Sequence, residues 1–254
     1  MIRTSAEEIK NIIHTLGVRK NDNILLHSAL FRFGVRSFSD TDLLDILLDS
    51  VGPNGTLIIP TFTYSFRRNQ VYDVNNSMPD KKLGIIAPLA LGLAEYRNEC
   101  PLFSFCGFGK NVKRILSLKS EYCFGRDSVF ASLVDVHCKV LSLGVDYSSG
   151  ISIFMHFEKQ AAVSYREDLV LSGDIVDATG VRQSRRAIHF ARDEKRYPNA
   201  YTDRAAMGAI LKSQGASMEL SYKGVGCKLI DSKQACSLVV EKLRHDENFM
   251  LRKA

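Results

Sequence analysis

The sequence predicts an α/β fold, and two observations carry that prediction. Apolar, strand-like runs alternate with helical patterns along the chain, and no linker, internal repeat or low-complexity tract divides it. The 254 residues are enough to bury a substantial core. We therefore expect a single-domain α/β/α sandwich with a central mixed sheet and an antiparallel hairpin portion, spanning residues 1–254.

The first elements are a helix and then a strand–helix–strand unit. Ser5 and Glu8 fit a capping box at the start of a helix with an apolar stripe. Residues 23–30 and 56–62 are strand-like, and the helical pattern between them stops near Gly52. Such a unit implies a right-handed crossover and a parallel or mixed sheet.

The rest of the chain continues the alternation. The turn at Ala178-Thr179-Gly180, within an alternating segment, indicates an antiparallel hairpin. The predicted elements are, in order, helices at 84–96 and 110–119, a strand at 138–145, the hairpin at 167–193 and, from residue 202, a helix, a strand at 221–230 and a helix at 232–246.

The composition limits the classes of function. The net charge is +6, but the cationic residues are dispersed and no nucleic-acid-binding motif accompanies them, so the charge suits small anionic ligands better than nucleic acid. The apolar runs are too short to cross a bilayer and the N-terminus has no signal-peptide pattern, so we expect a cytoplasmic protein without membrane contact. The six cysteines form no CxxC pair and the histidines lack ligand-like partners, so we expect reduced thiols and no metal.

Small and polar residues follow the first two predicted strands. His27, Ser28 and Ala29 end the first strand, and Thr61, Thr63 and Tyr64 end the second. In open α/β sheets ligands bind at the carboxyl ends of the strands. These residues therefore indicate a polar cleft at that edge, although a merely tight loop would have the same pattern.

Six segments, taken together in their order and spacing, resemble a known family. They are "LLHSALFRFG", "GTLIIPTFTYSF", "YRNECPLFSFCGFG", "FGRDSVF", "VLSLGV" and "FMHFEKQAAVSYR". The chain resembles the aminoglycoside 3-N-acetyltransferase-like family, strongly over residues 24–166 and loosely beyond. The resemblance implies an acyl-CoA-dependent N-acyltransferase, unrelated in fold to the GNAT enzymes, and favours the branch that modifies sugars.

The resemblance assigns cofactor contacts to the ends of the first two strands. His27, Ser28, Ala29 and Leu30 match the family's loop that meets the pantetheine arm and the acyl carbonyl. Thr61 matches the threonine of the family's strand-end Pro-Thr. The implied co-substrate is acetyl-CoA or another acyl-CoA, without a metal, and the implied assembly is a homodimer.

Further motifs indicate the acceptor side of the site. Cys100 and Ser104 fall on the first and last positions of the family's His-Pro-x-x-Ser motif, and Arg166 follows the family's carboxylate at the usual interval. Thr63 and Tyr64, at the end of the second strand, are expected to join them as substrate contacts.

The catalytic base is predicted at His156 and Glu158, but the pattern is displaced. The family's histidine precedes its glutamate by three residues, and that position here is Met155. If the segment is helical, residues two apart are rotated by about 200° and cannot cooperate directly. If it is extended at His156, both can face one way. In the first case two alternatives remain for the catalytic group. Glu158 alone could act as the base, or Cys100 could act as a nucleophile.

The basic charge points to an anionic acceptor. Aminoglycosides are polycations and favour an acidic surface, whereas this chain carries +6. We therefore expect transfer of an acetyl or other acyl group to an amino sugar, one linked to a nucleotide and used for surface polysaccharides. The alternatives are an aminoglycoside N-acetyltransferase, a homologue that binds ligand without catalysis, and a hydrolase that uses Cys100.

Overall fold

The structure, a computed structural model, describes residues 2–253 apart from the side chains of Ser149 and Lys253. Its helices are α1 Ala6–Leu16, α2 Asp40–Val51, α3 Ile86–Leu93, α4 Val112–Leu116, α5 Val129–Asp135, α6 Tyr147–Gly150, α7 Ile153–Ala161, α8 Ala205–Ser213 and α9 Ser232–His245. Its strands are β1 Arg3–Thr4, β2 Asn23–Ser28, β3 Val35–Arg36, β4 Thr56–Pro60, β5 Tyr72–Asp73, β6 Tyr96–Arg97, β7 Phe105–Gly109, β8 Lys139–Leu143, β9 Arg166–Val176, β10 Arg182–Arg192, β11 Ala200–Thr202, β12 Ser217–Tyr222, β13 Val225–Asp231 and β14 Leu251–Lys253.

Three parallel strands form the centre of a seven-stranded sheet. The order is β12-β13-β8-β2-β4-β7-β6, in which β8, β2 and β4 run parallel and the remaining pairs are antiparallel. In the register of the parallel core, Leu25 lies between Ile58 and Val140. The predicted mixed sheet is confirmed.

Helices cover both faces of this sheet because its central strands are apolar on both sides. In β2, Ile24 and Leu26 pack into one core, with α1, α2 and α3, while Leu25 packs into the other, with α4, α5, α7 and α9. The predicted α/β/α sandwich is therefore confirmed. That residues 1–254 are one domain stays a prediction.

The predicted hairpin is also present. β9 and β10 pair antiparallel from Arg166 opposite Arg192 to Val176 opposite Arg182. The turn is fixed by Asp177, whose carboxylate accepts the backbone N–H groups of Thr179 and Val181. The hairpin begins directly after α7, so it carries Arg166 back against that helix.

Local signals decide the ends of the other elements. The capping box of Ser5 and Glu8 forms as predicted at the start of α1. The predicted strand at 221–230 is instead the turn and second half of a hairpin, β12–β13, because Lys223 and Gly224 both have positive φ, 49° and 84°. Two such residues reverse the chain in a two-residue turn.

Candidate active site

A cleft of about 700 Å³ opens at the carboxyl ends of the three parallel strands. β2 ends at Ser28, β4 at Pro60 and β8 at Leu143, and residues at or just after each of these ends line the cleft. The start of α3 and one face of α7 complete its walls. This is the place where open α/β sheets bind ligands, so the cleft is the candidate active site.

Three buried polar atoms in the cleft wall have no hydrogen-bond partner among the described side chains. They are Nε2 of His27, Oγ of Ser152 and Nε of Arg204. These residues are 7%, 5% and 6% exposed, respectively. An unpaired buried donor or acceptor is costly, so a wall with three of them is suited to a polar ligand that supplies the missing partners.

The charged side chains of the cleft wall are all cationic. Arg32, Arg36 and Lys82 lie near the mouth of the cleft. Arg204 lies deeper. Arg32 pairs with Asp146 at 2.9 Å and Arg36 with Asp40 at 2.5 Å. Among the described residues that line the cleft there is no carboxylate side chain. The cleft therefore favours anionic ligands.

Helix α7 presents Met155, and not His156, to the cleft. The segment is regular α-helix from Ile153 to Ala161, so each residue is rotated by about 100° from the one before. Ser152 and Met155 line the cleft, and Glu158 follows one turn further on the same side. Met155, the residue matched above to the family's histidine, thus presents a thioether to the cleft.

His156 is packed inside the protein. It is 1% exposed, its Nδ1 accepts the backbone N–H of Gly125 at 3.2 Å, and its ring stacks 6.4 Å from that of Phe130. Burial lowers its pKa to about 4, so the ring is neutral at neutral pH, with its proton on Nε2. The structure does not bring His156 and Glu158 together.

Glu158 is paired with two arginines instead. One carboxylate oxygen lies 2.8 Å from Nε of Arg166, and both oxygens lie 3.4 Å from Nη2 of Arg204. The carboxylate also accepts a 3.5 Å hydrogen bond from the Tyr165 hydroxyl. Glu158 is fully buried. Its oxygens are therefore occupied by the protein, and Arg204 links it to the cleft wall.

The predicted cofactor residues divide into two groups. His27, Ser28, Ala29 and Leu30 line the cleft, in the loop that follows β2. Thr61 does not, because its backbone N–H donates to the Ser104 carbonyl at 2.8 Å and its side chain is fully buried. Burial also lowers the pKa of His27, to about 4, so its imidazole is neutral at neutral pH.

Most of the predicted substrate residues lie outside the cleft wall. Tyr64 lines the cleft, but Thr63 donates to the Pro101 carbonyl at 3.0 Å and Ser104 donates to the Thr61 carbonyl. These two buried hydroxyls connect the loop after β4 to the segment that precedes β7. Arg166 is occupied by Glu158, as described above.

Cys100 lies in a separate small cavity of about 90 Å³, beside Cys123. The two sulfur atoms are 3.9 Å apart. Phe103 lines this cavity, and its ring contacts those of Phe62 and Tyr64, which line the cleft, with centroids 5.2 and 5.6 Å apart. An aromatic wall of Phe62, Tyr64 and Phe103 thus separates Cys100 from the cleft.

Several residues of the cleft wall were not predicted from the sequence. Arg32 and Arg36 follow the end of β2 within eight residues, and this closeness to a strand end was a usable signal. Lys82, Ser152 and Arg204 come from distant segments, and no local pattern marks them as parts of one site.

Over residues 2–253, no group of three or more His, Cys, Asp and Glu side chains has an arrangement that could hold a metal ion. In the same part of the chain, none of the helices has the length and hydropathy needed to cross a membrane.

The fold and the cleft define an α/β protein with an anion-favouring site at the strand ends, and sequence comparison identifies its family. The family model for aminoglycoside 3-N-acetyltransferase matches residues 25–244. The chain therefore belongs to the aminoglycoside 3-N-acetyltransferase family, as its motifs predict.

Individual relatives are distant. The prophage-derived aminoglycoside N(3′)-acetyltransferase-like protein YokD of Bacillus subtilis strain 168 is 24% identical over 165 residues, which are 56% of this chain and 61% of YokD. This chain thus matches less than two thirds of the length of that relative.

Solved structures share the fold at low identity. AAC-IIIb, in a binary complex with CoASH, has a TM-score of 0.79 at 18% identity, covering 96% of this chain and 97% of that one. AAC-VIa, bound to sisomicin, has a TM-score of 0.81 at 18% identity, covering 96% and 98%. At this level of identity the likeness establishes the fold.

Proposed function

We propose that this protein transfers an acyl group from an acyl-CoA to the amine of a small anionic acceptor, an amino sugar linked to a nucleotide. One observation supports this most: the cleft at the strand ends has four cationic side chains in its wall and no carboxylate among the described ones. Coenzyme A and nucleotide sugars both carry diphosphates, which such a wall attracts.

The proposed reaction is direct attack of the amine on the thioester. The acceptor nitrogen forms a bond to the acyl carbon, the carbon–sulfur bond breaks, and coenzyme A leaves as a thiolate that takes up a proton. The nitrogen loses one proton in the process. A neutral imidazole within reach is suited to accept it.

We assign proton acceptance to His27. It is the one imidazole among the described residues of the cleft wall, and it is neutral at neutral pH. His156 and Glu158, the pair expected from the sequence, are bonded to Gly125 and to two arginines instead. Met155 has no basic atom with which to replace the family's histidine.

Polycationic aminoglycosides are the less favourable acceptors. Each ammonium group of such a molecule would be repelled by Arg204 and by the cations at the mouth, with no carboxylate in the described wall to bind it. A nucleotide-linked amino sugar brings one amine and two phosphates, and so matches the charge of the wall.

Calorimetric titration with acetyl-CoA tests the donor site. We expect micromolar binding by the natural protein and roughly tenfold weaker binding by Arg36→Met, because one phosphate loses a charge-assisted partner. The matched control is Arg182→Met, which removes an exposed arginine of the hairpin and leaves the affinity unchanged. Failure of acetyl-CoA and longer acyl-CoAs to bind would refute the proposed donor.

The acceptor is tested by loss of the thioester absorbance. We expect turnover with a nucleoside-diphosphate-linked amino sugar and little with sisomicin. The reverse order would establish the aminoglycoside alternative.

A second candidate is a homologue that binds ligand without catalysis, and Met155 in the cleft is the observation that favours it. The substitution Met155→His distinguishes the two. Turnover that exists only in the variant supports loss of catalysis in the natural protein. Turnover in the natural protein, unchanged in the variant, excludes this candidate.

A further inference from the structure

One side of α7 connects the cleft to a buried ion cluster, which consists of Glu158, Arg166 and Arg204. Ser152, Met155 and Glu158 are spaced by three residues and lie on one side of the helix. Ser152 and Met155 line the cleft, and Glu158 binds Arg204, which lines it too. The inner wall of the cleft is therefore continuous with the cluster.

The ion cluster has one positive charge more than it can neutralise. The guanidinium groups of Arg166 and Arg204 share the single carboxylate of Glu158. No second carboxylate oxygen among residues 2–253 lies within 4.0 Å of either guanidinium. The side chains of the two arginines are only 10% and 8% exposed, so water screens this charge poorly.

Only one of the two arginines can receive a counter-charge from the cleft. Arg166 is turned to Glu158 and to the Phe190 carbonyl, whereas Arg204 is part of the cleft wall. The Nε atom of Arg204 and the hydroxyl of Ser152 are both buried, and neither has a hydrogen-bond partner in the part of the chain that the structure describes. Each can donate one hydrogen bond to a ligand.

We propose that Ser152 and Arg204 form a subsite for a carboxylate of the substrate, beside Met155. A carboxylate carries the single negative charge that the cluster lacks and accepts both hydrogen bonds, whereas a phosphate monoester would bring close to two charges. The subsite deepens the proposed function, since the carboxylate would belong to one of its two substrates.

The carboxylate has two possible sources. It is either the far end of a dicarboxylic acyl group on the donor, as in succinyl-CoA, or an acidic group on the acceptor, as in a nucleotide-linked uronic acid. Both place the same chemistry against Arg204, and paired probes separate them.

The donor arm compares the dissociation constants of succinyl-CoA and butyryl-CoA, which have acyl chains of equal length. If the donor is the source, we expect succinyl-CoA to bind at least about tenfold more tightly to the natural protein. Arg204→Met and, with a smaller effect, Ser152→Ala should remove that preference. Arg36→Met should weaken both ligands equally and leave their ratio unchanged.

The acceptor arm compares UDP-glucuronate with UDP-glucose in the same four proteins. A tenfold preference for the acid, lost in Arg204→Met, would identify the acceptor as the source. Equal binding in both pairs would overturn the subsite, and so would a preference that survives in both Ser152→Ala and Arg204→Met.

A third probe separates this inference from the proposed function. Succinate alone should raise the melting temperature of the natural protein more than chloride does at equal ionic strength, and Ser152→Ala should reduce the difference. If no acyl-CoA binds but this difference is found, the donor proposal fails and the subsite stands. If acyl-CoA binds and no carboxylate probe discriminates, the subsite fails and the donor proposal stands.

Discussion

At the scale of single residues, Met155 and His27 differ in the property that an attacking amine requires. Both line the same cleft. A thioether cannot accept a proton at neutral pH, whereas the neutral imidazole of His27 can. Of these two cleft residues, His27 is therefore the one with a group that can accept the proton of an attacking amine.

Replacing His27 tests its role directly. We expect His27→Asn to lower kcat by roughly 10²-fold or more, because proton transfer in the transition state is lost, while the dissociation constant of acetyl-CoA changes little. The measurement is steady-state turnover of the best acceptor over pH 6 to 9, beside calorimetry of the same preparation.

His156 provides the comparison. Because it is hydrogen-bonded to Gly125 and absent from the cleft wall, His156→Asn should lower stability but leave kcat per folded molecule within a few-fold. A large loss of kcat in His156→Asn, with His27→Asn active, would restore His156 as the base.

At the scale of elements, α7 explains why the spacing of its residues matters. Its three-residue period places Met155 and Glu158 on one side and turns His156 toward Phe130. From the sequence alone, this arrangement could be predicted only if the segment was known to be helical, since His156 and Glu158 would share a face in an extended segment. Burial on both sides of the segment hid the helical period.

Glu158 is predicted to stabilise the folded protein. We expect Glu158→Gln to lower the free energy of unfolding by about 3 kcal/mol or more, because two buried guanidiniums lose their counter-charge. Urea denaturation measures this change. The matched control is Glu194→Gln, whose carboxylate is largely exposed beside Arg192 and should contribute less than about 1 kcal/mol.

At the scale of the whole molecule, the fold was predictable and the site only in part. The alternation of elements, the capping box at Ser5 and the turn at Gly180 are local signals, and they specify the sandwich and its hairpin. Strand ends likewise predict that His27 and Tyr64 share a cleft. Arg204 could not be predicted, because it reaches the cleft from a segment far along the chain.

Thr61, Thr63 and Ser104 show a second limit. Thr61 and Thr63 follow the end of β4, as ligand contacts do, and Ser104 comes just before β7. Their hydroxyls form hydrogen bonds between these two segments instead of facing the cleft. A sequence pattern marks a polar group near an edge of the sheet. It does not state whether the partner of that group is a ligand or the protein.

The buried histidines predict how stability depends on pH. Burial lowers the pKa values of His27, His156 and His189 to about 4, with Arg67 and Arg166 adding to the effect at His189. Below pH 6.5 the unfolded chain therefore binds protons that the folded chain does not, so stability falls from pH 6.5 toward pH 4 and is level above that window. Each histidine contributes roughly 1.4 kcal/mol per pH unit at most.

Urea denaturation at pH 7.5, 6.0 and 5.0 measures this slope. His189→Phe, which keeps an aromatic ring against Phe103, should reduce the slope by about a third. His14→Gln, at an exposed position on α1, should leave it unchanged. Equal slopes in the natural protein and His189→Phe would contradict the assignment.

The pairing of β2 with β8 also has a consequence for synthesis. His27 pairs with Ser142, more than a hundred residues later, and Arg204 comes later still. On the ribosome, β2 can pair with β4 early, but its other edge stays unpaired until β8 has emerged, and such long-range closure is slow. The cleft gains Arg204 only after that, so a nascent chain acquires the parallel centre of its sheet before it acquires a complete ligand site.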